Sequence, residues 1–335
     1  MMSTADVAWF RIEHESSVGA VRRAAVGLAR RLGLDETRAS EIGIAVTEVA
    51  ANQLKHAGGG ALLLRACRSD HEAGVAFVAA DRGPGMSDVG ACLADGHSTT
   101  GTLGIGLGAV SRLASTWDIY SLPGRGTVVA ASFGLCDTTS PAARASGLTR
   151  PMSGQEICGD AVAVRVDDAV LTAMVADGLG HGPLAATASD AAVRAFLRAP
   201  PGPPVELLTA VHRGTGRTRG AAAAVVQVAG DGAIRYAGVG NVSGYVSDGR
   251  QQRRMISYPG IVGVNARMFR ETRYDLPDHG VVLLCSDGVT DKLHLDEHVG
   301  LLVHSPVVIA ATVLRDFGSR NDDASVLVLG PPAAA

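Results

Sequence analysis

The amino-acid sequence predicts a two-domain α+β protein. Its 335 residues are enough for two domains that each bury a core. In both halves of the chain, apolar residues recur at helical spacing in some segments and form short strand-like runs in others. Residues 137–152 are rich in small and polar residues without such a pattern, which predicts a linker. We therefore expect one domain over residues 1–136 and another over residues 153–331.

Composition excludes several classes of function. The net charge is only −3, and lysine and arginine are scattered, so no basic surface for nucleic acid is expected. No apolar run approaches the roughly 20 residues of a membrane-spanning helix, and the N-terminus lacks the pattern of a secretory signal. Five widely spaced cysteines without a CxxC pair argue against disulfides and a zinc site. A cytoplasmic protein is expected, with no nucleic-acid or membrane partner.

The first domain is predicted to combine helices with strands. An apolar stripe that includes Val21 and Leu28 predicts a first helix, which Gly33 ends. A second helix is predicted from about Thr37 to His56, before three consecutive glycines. The remaining predicted elements are strands at 62–67, 75–80, 117–122 and 127–133 and a helix that ends at residue 113.

Three polar residues share one face of the predicted second helix. Glu48, Asn52 and His56 are spaced by four, so their side chains project from the same stripe. A carboxylate and an amide one turn apart can share a divalent cation with phosphate oxygens, and the carboxylate can orient an attacking hydroxyl. By itself the stripe also fits an ordinary solvated helix face.

Two glycine-rich segments add the other parts of a nucleotide pocket. The strand at 75–80 ends in Asp81, whose carboxylate can accept a hydrogen bond from an exocyclic amine such as that of adenine. A second segment leads into the helix that ends at residue 113, where backbone N–H groups can bind phosphate. The glycines of these two segments are Gly83, Gly85, Gly101, Gly104, Gly106 and Gly108, and a closing Gly124-Arg125-Gly126-Thr127 follows.

This ordered set resembles the GHKL ATPase family, and within it the RsbT-type switch kinases and anti-sigma-factor kinases, over residues 8–134. The resemblance implies a Bergerat-type α/β sandwich that binds ATP and Mg²⁺. It implies that Asn52 holds Mg²⁺, that Asp81 reads adenine and that Glu48 is the base that polarises a substrate serine. The further ATP contacts that it implies come from Gly83, Gly85, Gly104, Gly106, Gly108 and Thr127.

The second domain is predicted to be layered from strands and helices. Its apolar runs predict strands at 161–166, 170–176, 222–228, 234–237, 244–247, 281–285 and 325–329. Helical patterns lie near 184–197, 205–212 and 306–317.

Aspartates follow or precede these strands, next to glycines or asparagine. They are Asp160, Asp177, Asp287, Asp322 and Asp323. The strands at 170–176 and 281–285 are nearly continuous apolar runs, so the acids after them should emerge at one edge of a buried sheet. Crowded carboxylates repel one another, and Mg²⁺ or Mn²⁺ relieves the repulsion and can activate a water molecule. The pattern predicts a two-metal hydrolase.

The surrounding motifs resemble the PPM-type protein phosphatases, in their SpoIIE and RsbX branch, over about residues 150–330. The most specific are Asp177-Gly178-Leu179-Gly180-His181-Gly182 and Ser286-Asp287-Gly288. The resemblance implies an α-β-β-α sandwich with two Mn²⁺ or Mg²⁺ ions. In it, Asp177 bridges the ions, Asp160 and the Gly178 carbonyl serve one ion, and Asp287 and Asp322 serve the other. Asp323 and Asn241 are implied to support these ligands.

Two roles in the second domain stay open at this point. His181 is either the acid that protonates the leaving seryl oxygen or a structural loop residue. The sequence shows no clear arginine for the substrate phosphate, and Arg165 is the one suggestion.

Together the two domains predict a bifunctional signalling switch. The first would phosphorylate a serine or threonine of a STAS-domain antagonist or stressosome-type scaffold protein, and the second would dephosphorylate the same class of partner. In the alternative, only the phosphatase is an enzyme and the first domain senses ATP or binds an anti-sigma partner. A third reading is that the first domain sequesters a sigma factor or a regulatory phosphatase.

Overall fold

The computed structural model describes residues 3–68, 72–93, 106–134, 141–168, 170–266 and 268–330. The chain divides into two compact units, Met1–Thr138 and Thr139–Ala335. In the described part of the chain, every helix is too short or too polar to cross a bilayer.

The first unit is a five-stranded antiparallel sheet with helices against it. Its strands are β1 (Ser3–Ile12), β2 (Gly60–Arg68), β3 (Ala73–Ala80), β4 (Thr116–Leu122) and β5 (Gly126–Phe133), in the order β1-β2-β3-β5-β4. Its helices are α1 (Glu15–Arg31), α2 (Glu36–Ala57), α3 (Val89–Leu93) and α4 (Gly106–Leu113). This is the predicted α/β sandwich.

The core of this unit lies between α1, α2 and one face of the sheet. Alternate strand residues such as Leu62, Leu64 and Phe77 join the helix residues Val21 and Val46 in one buried cluster. This follows from the period of two in a strand and of 3.6 in a helix. β1 escaped prediction because it is an edge strand in which only Ile12 is fully buried.

Local capping explains the bounds of α2. The Asp35 side chain accepts a hydrogen bond of 2.8 Å from the Arg38 N–H at the start of the helix. Gly58 ends it in the left-handed conformation, with φ of 69°. The predicted helix from Thr37 to His56 is confirmed within one residue at each end.

The second unit contains two stacked sheets with helices outside them. The first sheet has the order β13-β10-β9-β8-β7, with β14 also on β10, and the second has the order β12-β11-β15-β16-β6. The strands of the first sheet are β7 (Asp160–Asp167), β8 (Val170–Gly178), β9 (Ala221–Val228), β10 (Ala233–Val239), β13 (Ser257–Tyr258) and β14 (Thr272–Asp275). Those of the second are β6 (Ala145–Arg150), β11 (Ser243–Ser247), β12 (Gln252–Arg254), β15 (Val281–Cys285) and β16 (Ala324–Leu329).

Apolar contacts define the four layers of this unit. One buried cluster joins the sheets, with Val175 of β8 and Leu284 of β15 among its members. A second cluster packs α5 (Pro183–Arg198) and α6 (Pro204–Thr215) on the outer face of the first sheet. α7 (Pro306–Phe317) packs on β6 and β16. The predicted α-β-β-α sandwich is confirmed.

The prediction of a linker over residues 137–152 is wrong for its second half. Residues Ala145–Arg150 form β6, which pairs antiparallel with β16. The strand was not recognised because Leu148 is its only large apolar residue. Gly147 lets β6 pack closely against Val162 of β7, since a Cβ there would lie 2.8 Å from a Val162 methyl carbon. Residues 135–140 lie outside the described residues.

Candidate functional site

Strand pairing brings the predicted acids of the second unit to one edge. Asp160, the first residue of β7, lies opposite Asp177 of β8 in the antiparallel register. Asp287 follows β15 and Asp322 precedes β16, and these two strands are paired, with Cys285 opposite Val326. The charges of Asp160, Asp287 and Asp322 all act on Asp177, which is therefore central to the group. We call these four residues the acid cluster.

Burial and mutual repulsion set the protonation of the acid cluster. Asp160 is only 6% exposed, and burial, opposed by the Ser286 and Ser325 hydroxyls, raises its pKa to about 7. Burial and then the charges of Asp160, Asp287 and Asp322 raise the pKa of Asp177 to about 9. Burial and Asp322 also raise the pKa of Asp287. The cluster therefore resists carrying four negative charges.

Hydrogen bonds hold the exposed side of the acid cluster. Asp177 and Asp287 share a side-chain hydrogen bond. Asn241 donates from Nδ2 to Oδ2 of Asp287. Asn241 thus contacts Asp287 directly, and its predicted role as a support for a metal ligand stays a prediction.

Asp323 fastens the chain behind the acid cluster. It is 3% exposed, and its carboxylate accepts N–H hydrogen bonds of 2.8 Å from both Met152 and Gly159. A Cβ at Gly159 would lie 2.7 Å from Oδ2 of Asp323, so only glycine fits beside Asp160. Asp323 therefore fixes the start of β7, where Asp160 lies.

Glycines after the acids permit a similarly close approach. A Cβ at Gly178 would lie 2.1 Å from the Ala185 carbonyl oxygen, and one at Gly288 would lie 1.9 Å from the Asp323 carbonyl oxygen. Both contacts are far inside van der Waals distance, so a side chain at either glycine would push the acid beside it out of place.

The donor set of the acid cluster suits hard divalent cations. All its side-chain donors are oxygens, which Mg²⁺ and Mn²⁺ prefer. Oδ2 of Asp160 is buried without a hydrogen-bond partner among the described residues, as expected of an oxygen atom that binds a cation. In that same part of the chain, no group of three or more His, Cys, Asp or Glu side chains is arranged closely enough to hold a metal ion. The ligand roles predicted for these residues and for the Gly178 carbonyl stay predictions.

His181 lies exposed on the loop between β8 and α5. The glycines on either side, Gly180 and Gly182, have φ of 88° and 71°, and Gly182 caps α5. The loop therefore turns sharply at His181 directly after the acid Asp177. Its role as a proton donor stays a prediction.

The suggestion that Arg165 grasps the substrate phosphate is wrong. Its Nε forms an ion pair of 2.6 Å with Asp167, and its Nη1 donates to the carbonyl oxygens of Phe196 and Ala199. The guanidinium also lies 5.3 Å from the Phe196 ring centroid. Arg165 is buried and ties β7 to the end of α5.

In the first unit, α2 presents the predicted polar stripe. Glu48 and Asn52 are half-buried and His56 is exposed, whereas Val46, Val49 and other apolar residues of the helix face the core. The three polar side chains are therefore placed as predicted, on one face of one helix. Their roles stay predictions.

Asp81 is held at the junction of β3 and β5. Its Oδ1 accepts N–H hydrogen bonds from Gly83, at 2.9 Å, and Thr127, at 3.2 Å. A Cβ at Gly83 would lie 2.6 Å from the Ala57 Cβ, so this loop touches the end of α2. Gly85 has φ of 70°, and a Cβ there would lie 2.1 Å from the Leu122 carbonyl oxygen.

The remaining predicted nucleotide contacts are placed in part. Thr127 shares a hydrogen bond of 2.9 Å between its Oγ1 and the Ser121 hydroxyl. Gly106 and Gly108 belong to the first turn of α4, so the helix begins earlier than the sequence suggested. α4 packs against α2. Gly104 lies outside the described residues.

Comparison with known proteins assigns the first unit. Residues 11–133 match the family model of the histidine kinase-like ATPase domain. The serine/threonine-protein kinase RsbT of Bacillus subtilis (strain 168) is 32% identical over 126 residues, which are 38% of this chain and 95% of RsbT. Through its first unit, the chain belongs to the RsbT family.

The second unit matches another family. Residues 167–331 match the model of stage II sporulation protein E, SpoIIE. The chain thus joins a domain of the RsbT family to a domain that matches the SpoIIE model. The predicted resemblances are confirmed.

Solved structures similar to the chain each cover just over half of it. One, from a study of the bacterial stressosome as a modular system adapted to control secondary messenger signaling, is 27% identical with a TM-score of 0.47 and covers 55% of this chain and 97% of that chain. RsbX in complex with magnesium is 20% identical with a TM-score of 0.49 and covers 56% of this chain and 94% of that chain.

Without metal ions, the second unit is expected to lose stability as the pH rises. The pKa values of Asp160, about 7, and Asp177, about 9, lie above the ordinary value of 3.8. The folded protein holds these protons more tightly than the unfolded chain, so their stabilising effect is complete below about pH 4 and is lost toward about pH 9. Urea unfolding of EDTA-treated protein at about pH 6 and about pH 8.5 measures how the free energy of unfolding changes with pH.

The matched control is Asp177→Asn, which removes one titrating group and should flatten the pH dependence of the free energy of unfolding. Identical slopes for the wild type and this variant would contradict the strong coupling within the acid cluster.

Proposed function

We propose that this protein is a two-way switch that sets the phosphorylation of a serine or threonine on a partner protein. The second unit hydrolyses the phosphoester with the help of two divalent cations, and the first unit forms it from ATP. The observation that carries the proposal is the meeting of Asp160, Asp177, Asp287 and Asp322 at one edge, where the charges of the other three raise the pKa of Asp177.

In the phosphatase unit, Asp177 would bridge two Mn²⁺ or Mg²⁺ ions because it is central to the acid cluster. Asp160 and the Gly178 carbonyl would serve one ion, and Asp287 and Asp322 the other. Bound ions of this kind neutralise the carboxylates and supply an activated water. Asn241 and Asp323 keep the ligands in place through the hydrogen bonds described above.

The reaction breaks the bond between phosphorus and the seryl or threonyl oxygen and forms a bond from phosphorus to the water oxygen. The leaving oxygen then needs a proton. His181 is exposed on the loop that follows β8, four residues after Asp177, and we assign it as the donor of that proton. The products are inorganic phosphate and the free hydroxyl of the partner.

In the kinase unit, the face of α2 supplies the chemistry. Glu48 would accept the proton of the attacking hydroxyl while the hydroxyl oxygen bonds to the γ-phosphorus of ATP and the bond from that phosphorus to ADP breaks, and Asn52, one turn further on, would hold Mg²⁺. Asp81, fixed by the Gly83 and Thr127 N–H groups, accepts the adenine amine. The backbone and side-chain contacts to the rest of ATP are assigned to Gly83, Gly85, Gly104, Gly106, Gly108 and Thr127.

The partner is proposed to be a STAS-domain antagonist or a stressosome-type scaffold protein in the cytoplasm. The likeness of the first unit to RsbT along nearly the whole length of that kinase supports this class of substrate. A single partner class for both units explains why opposed activities share one chain.

Replacing Asp177 is expected to abolish phosphatase activity. Asp177→Asn removes the central carboxylate, so Mn²⁺-dependent hydrolysis of p-nitrophenyl phosphate should fall by about a hundredfold or more. Asp168→Asn, in the exposed turn between β7 and β8, is the matched control and should keep full activity. Hydrolysis by the wild type that persists in excess EDTA would contradict the metal mechanism.

Replacing Glu48 is expected to stop phosphotransfer while ATP still binds. Glu48→Gln keeps the shape of the side chain but cannot accept a proton, so labelling of a STAS-domain protein encoded beside this gene should fall by about a hundredfold. His56→Gln, on the same stripe but exposed, is the control. If the wild type binds ATP and labels no such protein, the first unit is an ATP sensor and the kinase proposal fails.

A further inference from the structure

Arg165 forms an ion pair with Asp167 and donates a hydrogen bond to the carbonyl oxygen of Ala199 at the end of α5. The proposed phosphatase unit therefore needs another cation for the substrate phosphate. A cationic side chain beside the acid cluster, with donors that face solvent, can fill this role. The segment that joins α6 to β9, residues 216–220, carries such a residue at Arg219.

The pairing of β8 with β9 brings this segment to the acid cluster. In the register, Asp177 lies opposite Ala222 and Gly178 lies opposite Ala221. Beyond the last pair, the Leu179 N–H donates a hydrogen bond of 3.1 Å to the Gly220 carbonyl oxygen. Arg219 is therefore adjacent to the loop that follows β8 and contains His181.

The Arg219 guanidinium lies over that loop. A Cβ at Gly180 would stand 3.3 Å from Nη1 of Arg219, so the guanidinium packs on the bare backbone next to His181. Arg219 is exposed, and within the described residues no carboxylate forms an ion pair with it. Its planar donors are thus open to an incoming anion at the edge of the acid cluster.

Hydrogen bonds and close packing fix the backbone that carries Arg219. The Thr218 hydroxyl donates to the Thr215 carbonyl oxygen at 2.8 Å and accepts from the Gly220 N–H at 3.0 Å. Gly220 has φ of 85°, and a Cβ there would lie 2.6 Å from the Val262 carbonyl oxygen. A cation on a fixed backbone binds an anion with a smaller loss of entropy than one on a loose loop.

We propose that Arg219 binds the phosphate oxygens of the phosphoserine or phosphothreonine substrate. A guanidinium offers two parallel N–H donors that match two oxygens of a phosphate, and this contact does not depend on the rest of the substrate. The inference rests on the proposed phosphatase function and adds to it the residue that receives the phosphate.

Full-length protein with Mn²⁺ provides the test. Arg219→Ala should raise the KM for p-nitrophenyl phosphate about tenfold or more, and should weaken competitive inhibition by inorganic phosphate to a similar extent. Arg219→Lys should recover part of the affinity, because lysine restores the positive charge but not the two parallel N–H donors of the guanidinium. Arg217→Ala, an exposed arginine of the same segment, is the matched control and should keep the wild-type values.

Wild-type KM and wild-type phosphate inhibition in Arg219→Ala would overturn the inference, provided that its thermal unfolding is unchanged. An equal effect in Arg217→Ala would also overturn it, since general positive charge rather than a contact would then be at work. If the wild type itself hydrolyses no phosphoester with Mn²⁺, the proposed phosphatase function fails instead. Inorganic phosphate is the decisive probe because it lacks a leaving group.

Discussion

Repulsion among four aspartates is the constraint around which the second unit is built. Two of these acids come from one sheet and two from the other, so the stacking of the sheets forces them together. Burial is the largest cause of the raised pKa values of Asp160 and Asp177, and for Asp177 the charges of the other three acids add to it. Crowded carboxylates without a cation lower the stability of a fold. An arrangement of this kind is therefore typical of a functional site.

The acid cluster is held in place by backbone contacts around it rather than by hydrogen bonds to all of its own oxygens. Asp323 accepts the Met152 and Gly159 N–H groups, and glycines at 159, 178 and 288 let the backbone come close enough. The cluster itself keeps an unpartnered oxygen on Asp160. Rigid support combined with open ligand atoms is what a site for hard cations requires.

The proposed nucleotide site of the first unit differs electrostatically from the acid cluster of the second. Asp81, at the end of β3, accepts hydrogen bonds from two N–H groups, and α2 presents Glu48 and Asn52 on its polar stripe. One unit thus concentrates negative charge that needs cations, and the other places isolated polar groups around a nucleotide. This difference fits opposite directions of phosphoryl transfer.

The sequence predicted the elements whose signals are local. α2 was recognisable from its apolar stripe and the glycines after it, and β8 and β15 from unbroken apolar runs. β6 was missed because an edge strand with one large apolar residue has no periodicity to read. Arg165 was misjudged and Arg219 overlooked because their neighbours, the end of α5 and the loop after β8, come from distant parts of the chain.

Anomalous diffraction from crystals grown in Mn²⁺ is the sharpest check on the proposed metal site. We expect two manganese peaks among Asp160, Asp177, Asp287 and Asp322, with oxygen ligands and with Asp177 bound to both ions. Crystals whose maps show these four side chains ordered, with no manganese between them, would contradict this expectation.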